Sequence, residues 1–140
     1  MVRKKTICVK KLPFLSLIFL ILISGCKKSD LVPIDKNLIG KWTYTEYFYS
    51  IGGPGQWHPV IPANQAIEFK PGGSFISSES FLKTATKFEM VDSATIKFQP
   101  ASTSSGYILM GFSINTAQRE LYMYPISPMC IEGCNNKFKR

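Results

Sequence analysis

Short runs of β-branched and aromatic residues, separated by turn residues, fill the chain from Gly40 to its end, and this pattern limits the fold more than any other feature. Turn signals such as Pro71-Gly72-Gly73 and Asp92-Ser93 recur about every ten residues, and no convincing helical period is present. The pattern therefore predicts an all-β fold of about eight antiparallel strands. With about eight strands, a small up-and-down β-barrel closes around its own side chains or around one small ligand.

The turns divide this part of the chain into eight predicted strands. They cover residues 41–50, 66–70, 74–81, 86–91, 94–99, 107–114, 120–124 and 136–140. Because side chains alternate between the two faces of a strand, one set is predicted to face the barrel interior. This set consists of Trp42, Tyr44, Glu46, Phe48, Ile67, Phe69, Phe88, Met90, Ile96, Phe98, Leu121 and Met123. The strand at 107–114 is apolar on both faces, so its register stays open.

The predicted interior is aromatic and nearly uncharged, which limits the ligands it can hold. No lysine or arginine falls on the inward faces, and an unpaired buried carboxylate costs several kcal/mol. The pattern therefore disfavours a fatty-acid ligand and is compatible with a neutral apolar or sugar-like molecule. The alternative is a small core that the aromatic side chains simply fill.

A lipidation signal precedes the strands. Residues Leu22-Ile23-Ser24-Gly25-Cys26 match a lipobox, at which a bacterial prolipoprotein is acylated on cysteine and cleaved. The lipobox follows a basic segment and an apolar run of about a dozen residues, which is too short to span a membrane. The sequence predicts a lipoprotein signal peptide at 1–25, the lipidated Cys26 with a tether at 26–37, and a barrel domain at 38–140. An uncleaved N-terminal anchor is the alternative.

The charge of the chain changes once the predicted signal peptide is set aside. The whole chain has 17 Lys+Arg and 9 Asp+Glu, a net charge of +8; five of the basic residues precede Cys26, which leaves +3. The remaining lysines are scattered, so we expect no nucleic-acid partner. Lysine directly after Cys26 resembles lipoproteins of the outer membrane. We therefore expect an outer-membrane protein whose N-terminal acyl chains, such as palmitate, enter the lipid bilayer.

The start of the first predicted strand carries a family resemblance. Gly40-Lys41-Trp42 matches the Gly-x-Trp signature of lipocalins. Segments 52–57, 67–75 and 130–134 extend the similarity to the lipocalin-like lipoproteins of Bacteroidota. The resemblance implies that Trp42 plugs the closed end of the barrel and that Gly40 lets the chain turn beneath it.

The same resemblance indicates where a ligand would bind. Residues 51–62 join the first two predicted strands, the position where lipocalins carry a loop over the open mouth. Trp57 and His58 in this loop would contact a ligand, together with Glu46 and Tyr44 on the inward face. The alternative for Trp57 is that it only anchors the loop.

Residues suited to catalysis or metal binding are scarce. His58 is the single histidine of the chain, and the cysteines and histidine lack the spacing of common metal sites. Glu46 and Glu79 form a candidate acid/base pair of a kind that any β-protein offers by chance. We therefore predict no enzymatic activity, no metal and no cofactor.

Cys130 and Cys134 are predicted to form a structural disulfide. Cys8 lies in the predicted signal peptide, and outside the cytoplasm a cysteine pair is expected to oxidise. Gly133 gives the short loop the freedom to bring the two Cα atoms within bridging range. The alternatives are a redox-active pair, which usually has Cys-x-x-Cys spacing, and a soft-metal site.

The sequence supports two functional hypotheses. The first is a membrane-anchored binding module that holds a small neutral or apolar ligand at the barrel mouth. The second is an envelope accessory lipoprotein with a filled barrel that binds a protein partner. The second hypothesis rests on the predicted outward-facing Tyr47, Tyr49, Tyr122 and Tyr124, because tyrosine is enriched in interfaces.

Overall fold

The computed structural model describes residues 32–50, 52–101, 106–131 and 133–140. The predicted signal peptide at 1–25 and the predicted lipidation site Cys26 lie outside the described residues. The described regions contain nine strands. They are β1 (Gly40–Tyr49), β2 (Gln56–Pro59), β3 (Ala66–Phe69), β4 (Phe75–Ser77), β5 (Ala85–Met90), β6 (Thr95–Pro100), β7 (Ile108–Asn115), β8 (Glu120–Ser127) and β9 (Asn135–Lys139).

The strands form one antiparallel sheet in the order β4-β3-β1-β9-β8-β7-β6-β5. β2 pairs with the second half of β1 and β3 with the first half, so β2 and β3 occupy the same side of β1. The edge strands β4 and β5 approach each other at a bridge between Ser74 and Lys87. The sheet is therefore nearly closed into a barrel. The predicted fold class, an all-β protein with a small antiparallel up-and-down barrel, is confirmed.

Glycine at the turn between β3 and β4 allows this near closure. Gly72 and Gly73 have φ values of 83° and 84°, which side-chain-bearing residues rarely adopt. The Gly73 carbonyl accepts a hydrogen bond from the Phe88 N–H at 2.7 Å. A Cβ at Gly73 would lie 2.8 Å from the Phe88 carbonyl oxygen, so the two backbones meet only because this residue has no side chain.

Aromatic side chains fill the part of the barrel on which this turn closes. The Phe69 ring centroid lies 5.0 Å from that of Phe88 and 5.1 Å from that of Phe75. Burial of each such side chain stabilises the fold by roughly 1.5–3 kcal/mol. Ten of the predicted inward residues are buried: Trp42, Tyr44, Ile67, Phe69, Phe88, Met90, Ile96, Phe98, Leu121 and Met123. The sequence leaves open which face of the strand at 107–114 points inward. In β7, Met110 and Phe112 are both buried, so their face is the inward one.

A β-bulge in β1 reverses the alternation of its side chains. Tyr44 pairs with Phe138 of β9, but the next pair is Glu46 with Lys137, so Thr45 is one extra residue. The Thr45 hydroxyl donates to the Lys137 carbonyl at 3.1 Å, which gives the bulged residue a partner in β9.

The bulge corrects the predicted orientation of the second half of β1. Phe138 is buried, so its neighbour Lys137 and the paired Glu46 lie on the outer face. Phe48 shares that face, and Tyr47 faces inward. The predictions that Glu46 and Phe48 face inward and Tyr47 outward are wrong, because strict alternation does not account for an extra residue.

The predicted loop at 51–62 contains a strand. Residues 56–59 form β2, which pairs with β1 from Glu46 to Tyr49. The prediction of a lid is therefore wrong for these four residues. The strand is hard to recognise in the sequence because it contains Pro59, and proline is rare inside strands. No helix in the described parts of the chain is long and apolar enough to cross a membrane.

Candidate ligand-binding site

The structure places two of the four predicted ligand contacts on the outer face of the barrel. Glu46 Oε2 lies 2.8 Å from Lys137 Nζ. Trp57 is 41% exposed and pairs with the outward-facing Phe48. Its ring centroid lies 5.4 Å from that of Phe48 and 6.0 Å from that of Tyr122. We call these five residues the outer-face cluster; they do not surround the barrel mouth.

The other two predicted contacts, His58 and Tyr44, face the interior. The His58 ring stacks on Tyr47, with the centroids 5.5 Å apart. The Tyr44 ring stacks on Phe138 at 4.8 Å, and its hydroxyl donates to Asn136 Oδ1 at 2.5 Å. The predicted set of four is therefore divided between the two faces of the sheet.

Gly40 and Trp42 lie at one end of the barrel, which we call the closed end. Trp42 is fully buried, and its Nε1–H donates to the Leu38 carbonyl at 2.8 Å. The Arg140 guanidinium carbon lies 4.4 Å from the Trp42 ring centroid, and Nη1 donates to the Ile39 carbonyl at 3.1 Å. Gly40 has a φ of 124°. This is the geometry expected of residues that cover one end of a barrel core.

A cavity of about 410 Å³ lies at the opposite end, which we call the open end. It is bordered by the turn that follows β4, the end of β8, the loop between β8 and β9, and the start of β9. Its walls include the apolar Phe81, Pro125, Met129 and Ile131 and the polar Glu79 and Asn136. The open-end cavity thus combines apolar walls with few polar groups, as small-molecule sites do.

Glu79 is held in the cavity wall by its own turn. Its side chain is 4% exposed, and its carboxylate accepts the Phe81 N–H at 2.7 Å and the Leu82 N–H at 2.9 Å. The Glu79 N–H donates to Ser77 Oγ at 3.0 Å. These bonds fix the carboxylate, because a buried charge needs hydrogen-bond partners.

The interior next to the cavity has a negative electrostatic character. Burial, followed by the charge of Glu79 and then by Tyr47, raises the pKa of Tyr44 well above its usual range. No ion pair among the described residues involves Glu79. The Tyr44 hydroxyl is the donor in the hydrogen bond to Asn136 Oδ1.

Cys130 and Cys134 border the same cavity and are paired. Their Cα atoms are 5.9 Å apart, inside the usual range for a disulfide. The pair holds the loop that presents Met129 and Ile131, whose side chains are 78% and 91% exposed. The predicted pairing thus braces one wall of the open-end cavity.

The outer face carries an ion-pair network that is separate from the cavity. Glu120 lies 3.1 Å from Lys139 and 3.3 Å from Lys137, and it accepts the Tyr122 hydroxyl at 2.6 Å. The Tyr122 hydrogen bond, with help from the two lysines, lowers the pKa of Glu120 to about 2. Hydrogen bonding to Glu46 raises the pKa of Lys137. This network joins β9 to β1 and β8.

We found no metal-binding arrangement in the residues that the structure describes. Among them, no three His, Cys, Asp or Glu side chains lie close enough to hold a metal ion. Glu46, one of the candidate acid/base pair, lies on the outer face of β1, whereas Glu79 lies in the turn after β4 and lines the open-end cavity. The structure therefore gives no support to their acting as a pair.

Comparison with known protein families, with curated proteins and with solved structures gives no match for this chain. The candidate site is therefore defined by the geometry of its own residues.

Sequence reasoning missed most of the cavity wall. The sequence places Asn136 only in the last strand and indicates no role for Phe81 or Met129. Two signals pointed to this region: the cysteines that bracket residues 131–133, and Glu79 among the serines that follow β4. Neither shows that the two segments meet, because they are about 50 residues apart and the barrel closure brings them together.

Proposed function

We propose that this protein is a membrane-anchored, lipocalin-like lipoprotein that binds a small neutral or apolar ligand in the open-end cavity. The observation that carries the proposal is the cavity of about 410 Å³ between Glu79 and Asn136 at one end of an otherwise filled barrel. A volume of roughly 300–1,000 Å³ is typical of small-molecule sites. Because side chains fill the closed end, a ligand would bind at the open end and not deep inside the barrel.

The chemistry of the cavity wall supports a ligand without a negative charge. Its apolar surface comes from Phe81, Pro125, Met129 and Ile131. Glu79 supplies a buried carboxylate that would repel an anion. We therefore keep the neutral or apolar ligand inferred from the sequence and move its site from Trp57 and Glu46 to Glu79 and Asn136.

Native mass spectrometry of the chain, purified gently from its own host, tests the binding function. We expect a retained small-molecule adduct on the wild-type protein and its loss in Asn136→Trp, because the indole would occupy the cavity. Asn64→Trp is the matched control, since Asn64 is exposed and lies outside the cavity wall. A clean apo mass for correctly oxidised wild-type protein, under gentle conditions, would count against the proposal.

Membrane attachment through Cys26 is the second part of the proposal. Its support is the lipobox and the lysine that follows it, which favours the outer membrane. At the closed end, Val32 and Ile34 pack against the core and border a recess with Gly73 and Phe88. Val32 and Ile34, the described residues of this segment that pack on the core, therefore lie at the end of the barrel opposite the cavity.

Mass spectrometry of the N-terminal peptide tests the attachment. We expect an acylated Cys26 as the first residue and recovery of the protein in outer-membrane fractions. Cys26→Ala should remove the acyl mass and leave residues 1–25 attached. An unmodified Cys26 in wild-type protein would overturn this part of the proposal.

The outer-face cluster favours a second candidate function, the binding of a protein partner. Trp57 of this cluster is 41% exposed, and Tyr124, two residues after Tyr122 on the same face of β8, is 45% exposed. Large aromatic side chains are enriched in interfaces. Cross-linking from position 124 in native membranes tests this function. We expect one dominant partner, lost when Trp57 is replaced by alanine; a pattern unchanged by Trp57→Ala would argue against this candidate.

A further inference from the structure

The free hydrogen-bonding positions of the open-end cavity indicate the head group of its ligand. Glu79 Oε1 accepts the Phe81 N–H at 2.7 Å and the Ser80 hydroxyl at 3.4 Å, and Oε2 accepts the Leu82 N–H at 2.9 Å. A carboxylate offers about four acceptor positions. One position on Oε2 is therefore unused by the described residues, and Glu79 is one of the residues that line the cavity.

Asn136 supplies the complementary group. Its Oδ1 accepts the Tyr44 hydroxyl, which leaves the two N–H donors of its amide for the cavity that the residue lines. Tyr44 holds the amide in this orientation and is itself fixed by stacking on Phe138. The lining of the cavity thus includes an acceptor on Glu79 and donors on Asn136.

The charge of Glu79 decides among the head groups that could meet this pair. An ionised carboxylic acid cannot donate to Glu79 and would place a second negative charge beside it, which is unfavourable at a site that lacks a cation. An ammonium group can donate to Glu79 but cannot accept from Asn136. A hydroxyl group donates and accepts at the same oxygen, so it satisfies both residues.

We propose that the open-end cavity binds an apolar alcohol, whose hydroxyl donates to Glu79 and accepts from the Asn136 amide. The hydrocarbon body of the alcohol lies against Phe81, Met129 and Ile131. This inference rests on the proposed function, because it names the ligand class of that same cavity.

Three probes with one hydrocarbon body test the inference. Cyclohexanol, cyclohexylammonium and cyclohexanecarboxylate are titrated into the purified chain, and binding is followed by saturation-transfer NMR. We expect cyclohexanol to bind about tenfold or more tightly than the carboxylate, the ratio that a charge-assisted hydrogen bond of typical strength gives. The ammonium should fall between them.

Substitution at Glu79 shows whether the preference comes from its charge. In Glu79→Gln the ratio of alcohol to carboxylate affinity should fall by about tenfold. Glu89→Gln is the matched control, because Glu89 forms an ion pair with Lys97 outside the cavity, at 2.7 Å. Asn136→Ala is the second variant if Glu79→Gln does not fold. This variant should bind cyclohexanol several-fold more weakly than wild-type protein does, and its affinity for cyclohexylammonium should be unchanged.

The outcomes separate the two proposals. If none of the probes binds, the proposed ligand-binding function fails together with the inference. If all three bind equally, or if the ammonium or the carboxylate binds most tightly, the cavity is a binding site but the assignment of an alcohol is wrong. Preference for cyclohexanol that survives Glu79→Gln and Asn136→Ala would also overturn the inference.

Discussion

The two ends of the barrel use the same alternation of side chains but differ in chemistry. At the closed end, rings such as Trp42, Phe69 and Phe88 are buried and fill the interior. At the open end, the inward-facing Asn136 supplies a polar group and lines a cavity of about 410 Å³. The closed end therefore stabilises the fold, and the open end has polar groups and space with which to bind.

The boundary between the two ends lies near the bulge at Thr45. Before the bulge, β1 places Trp42 and Tyr44 in the interior; after it, Tyr47 faces in and Glu46 faces out. A bulge changes which side chains a strand presents without ending the strand. One extra residue thus separates the packed part of β1 from the part that borders the open end.

We expect the largest loss of folding stability from a substitution at the closed end. Phe69→Ala should lower the free energy of unfolding by about 3–5 kcal/mol, because it leaves a cavity among packed rings. Urea unfolding measures the change. Ile76→Ala, on the exposed face of β4, is the control and should change stability by less than about 0.5 kcal/mol. A loss below about 1 kcal/mol for Phe69→Ala would mean that the closed end is loosely packed.

A medium effect is expected at the disulfide of the open end. Replacing both Cys130 and Cys134 by serine should lower the free energy of unfolding by about 2 kcal/mol, because a five-residue ring no longer restricts the unfolded chain. It should also weaken ligand binding, because the freed loop carries the cavity wall. Dithiothreitol should reproduce both changes in wild-type protein and have no effect on the serine variant. Full binding by reduced protein would show that the loop is not part of the site.

A smaller effect is expected on the outer face, at acid pH. The folded-state pKa of Glu120 is about 2, below its ordinary value of 4.5. A carboxyl group with a lowered pKa stabilises the fold above its ordinary value, and this contribution is lost as the pH falls from about 4.5 towards about 2. Urea unfolding at several pH values should therefore show a steeper acid decline for wild-type protein than for Glu120→Gln. If the free energy of unfolding fell equally steeply with pH in both proteins, the hydrogen bond and ion pairs of Glu120 would not stabilise the fold.

The smallest effect on ligand binding is expected at Trp57, although the sequence singled it out. Trp57→Ala should leave the affinity of the open-end cavity within about twofold, because the ring lies on the outer face and its loss is a surface change. Phe81→Ala, within the cavity wall, is the matched aromatic comparison and should weaken binding clearly. Titration with cyclohexanol measures both variants. If Trp57→Ala weakens binding more than Phe81→Ala does, the site lies elsewhere.

Alternation and turn residues were sufficient to predict the barrel but not the site. Alternation identified ten buried residues, because their strands lie regularly in the sheet. It failed for Glu46, since a bulge is set by the pairing of β1 with β9 and leaves no mark in β1 itself. It also missed β2, where four residues with a terminal Pro59 resemble a loop. The cavity wall comes from turns, and neither Glu79 nor Asn136 indicates in sequence that they share it.

An NMR titration of the purified chain with cyclohexanol tests most directly whether binding occurs at the open end. We expect amide and methyl shifts confined to residues around the cavity, above all Asn136, the turn at 79–82 and the loop at 128–131. Residues of the closed end and the Trp57 indole should keep their positions. Shifts centred on Trp57 and Tyr122, with none at Asn136, would contradict the assignment and move the site to the outer-face cluster.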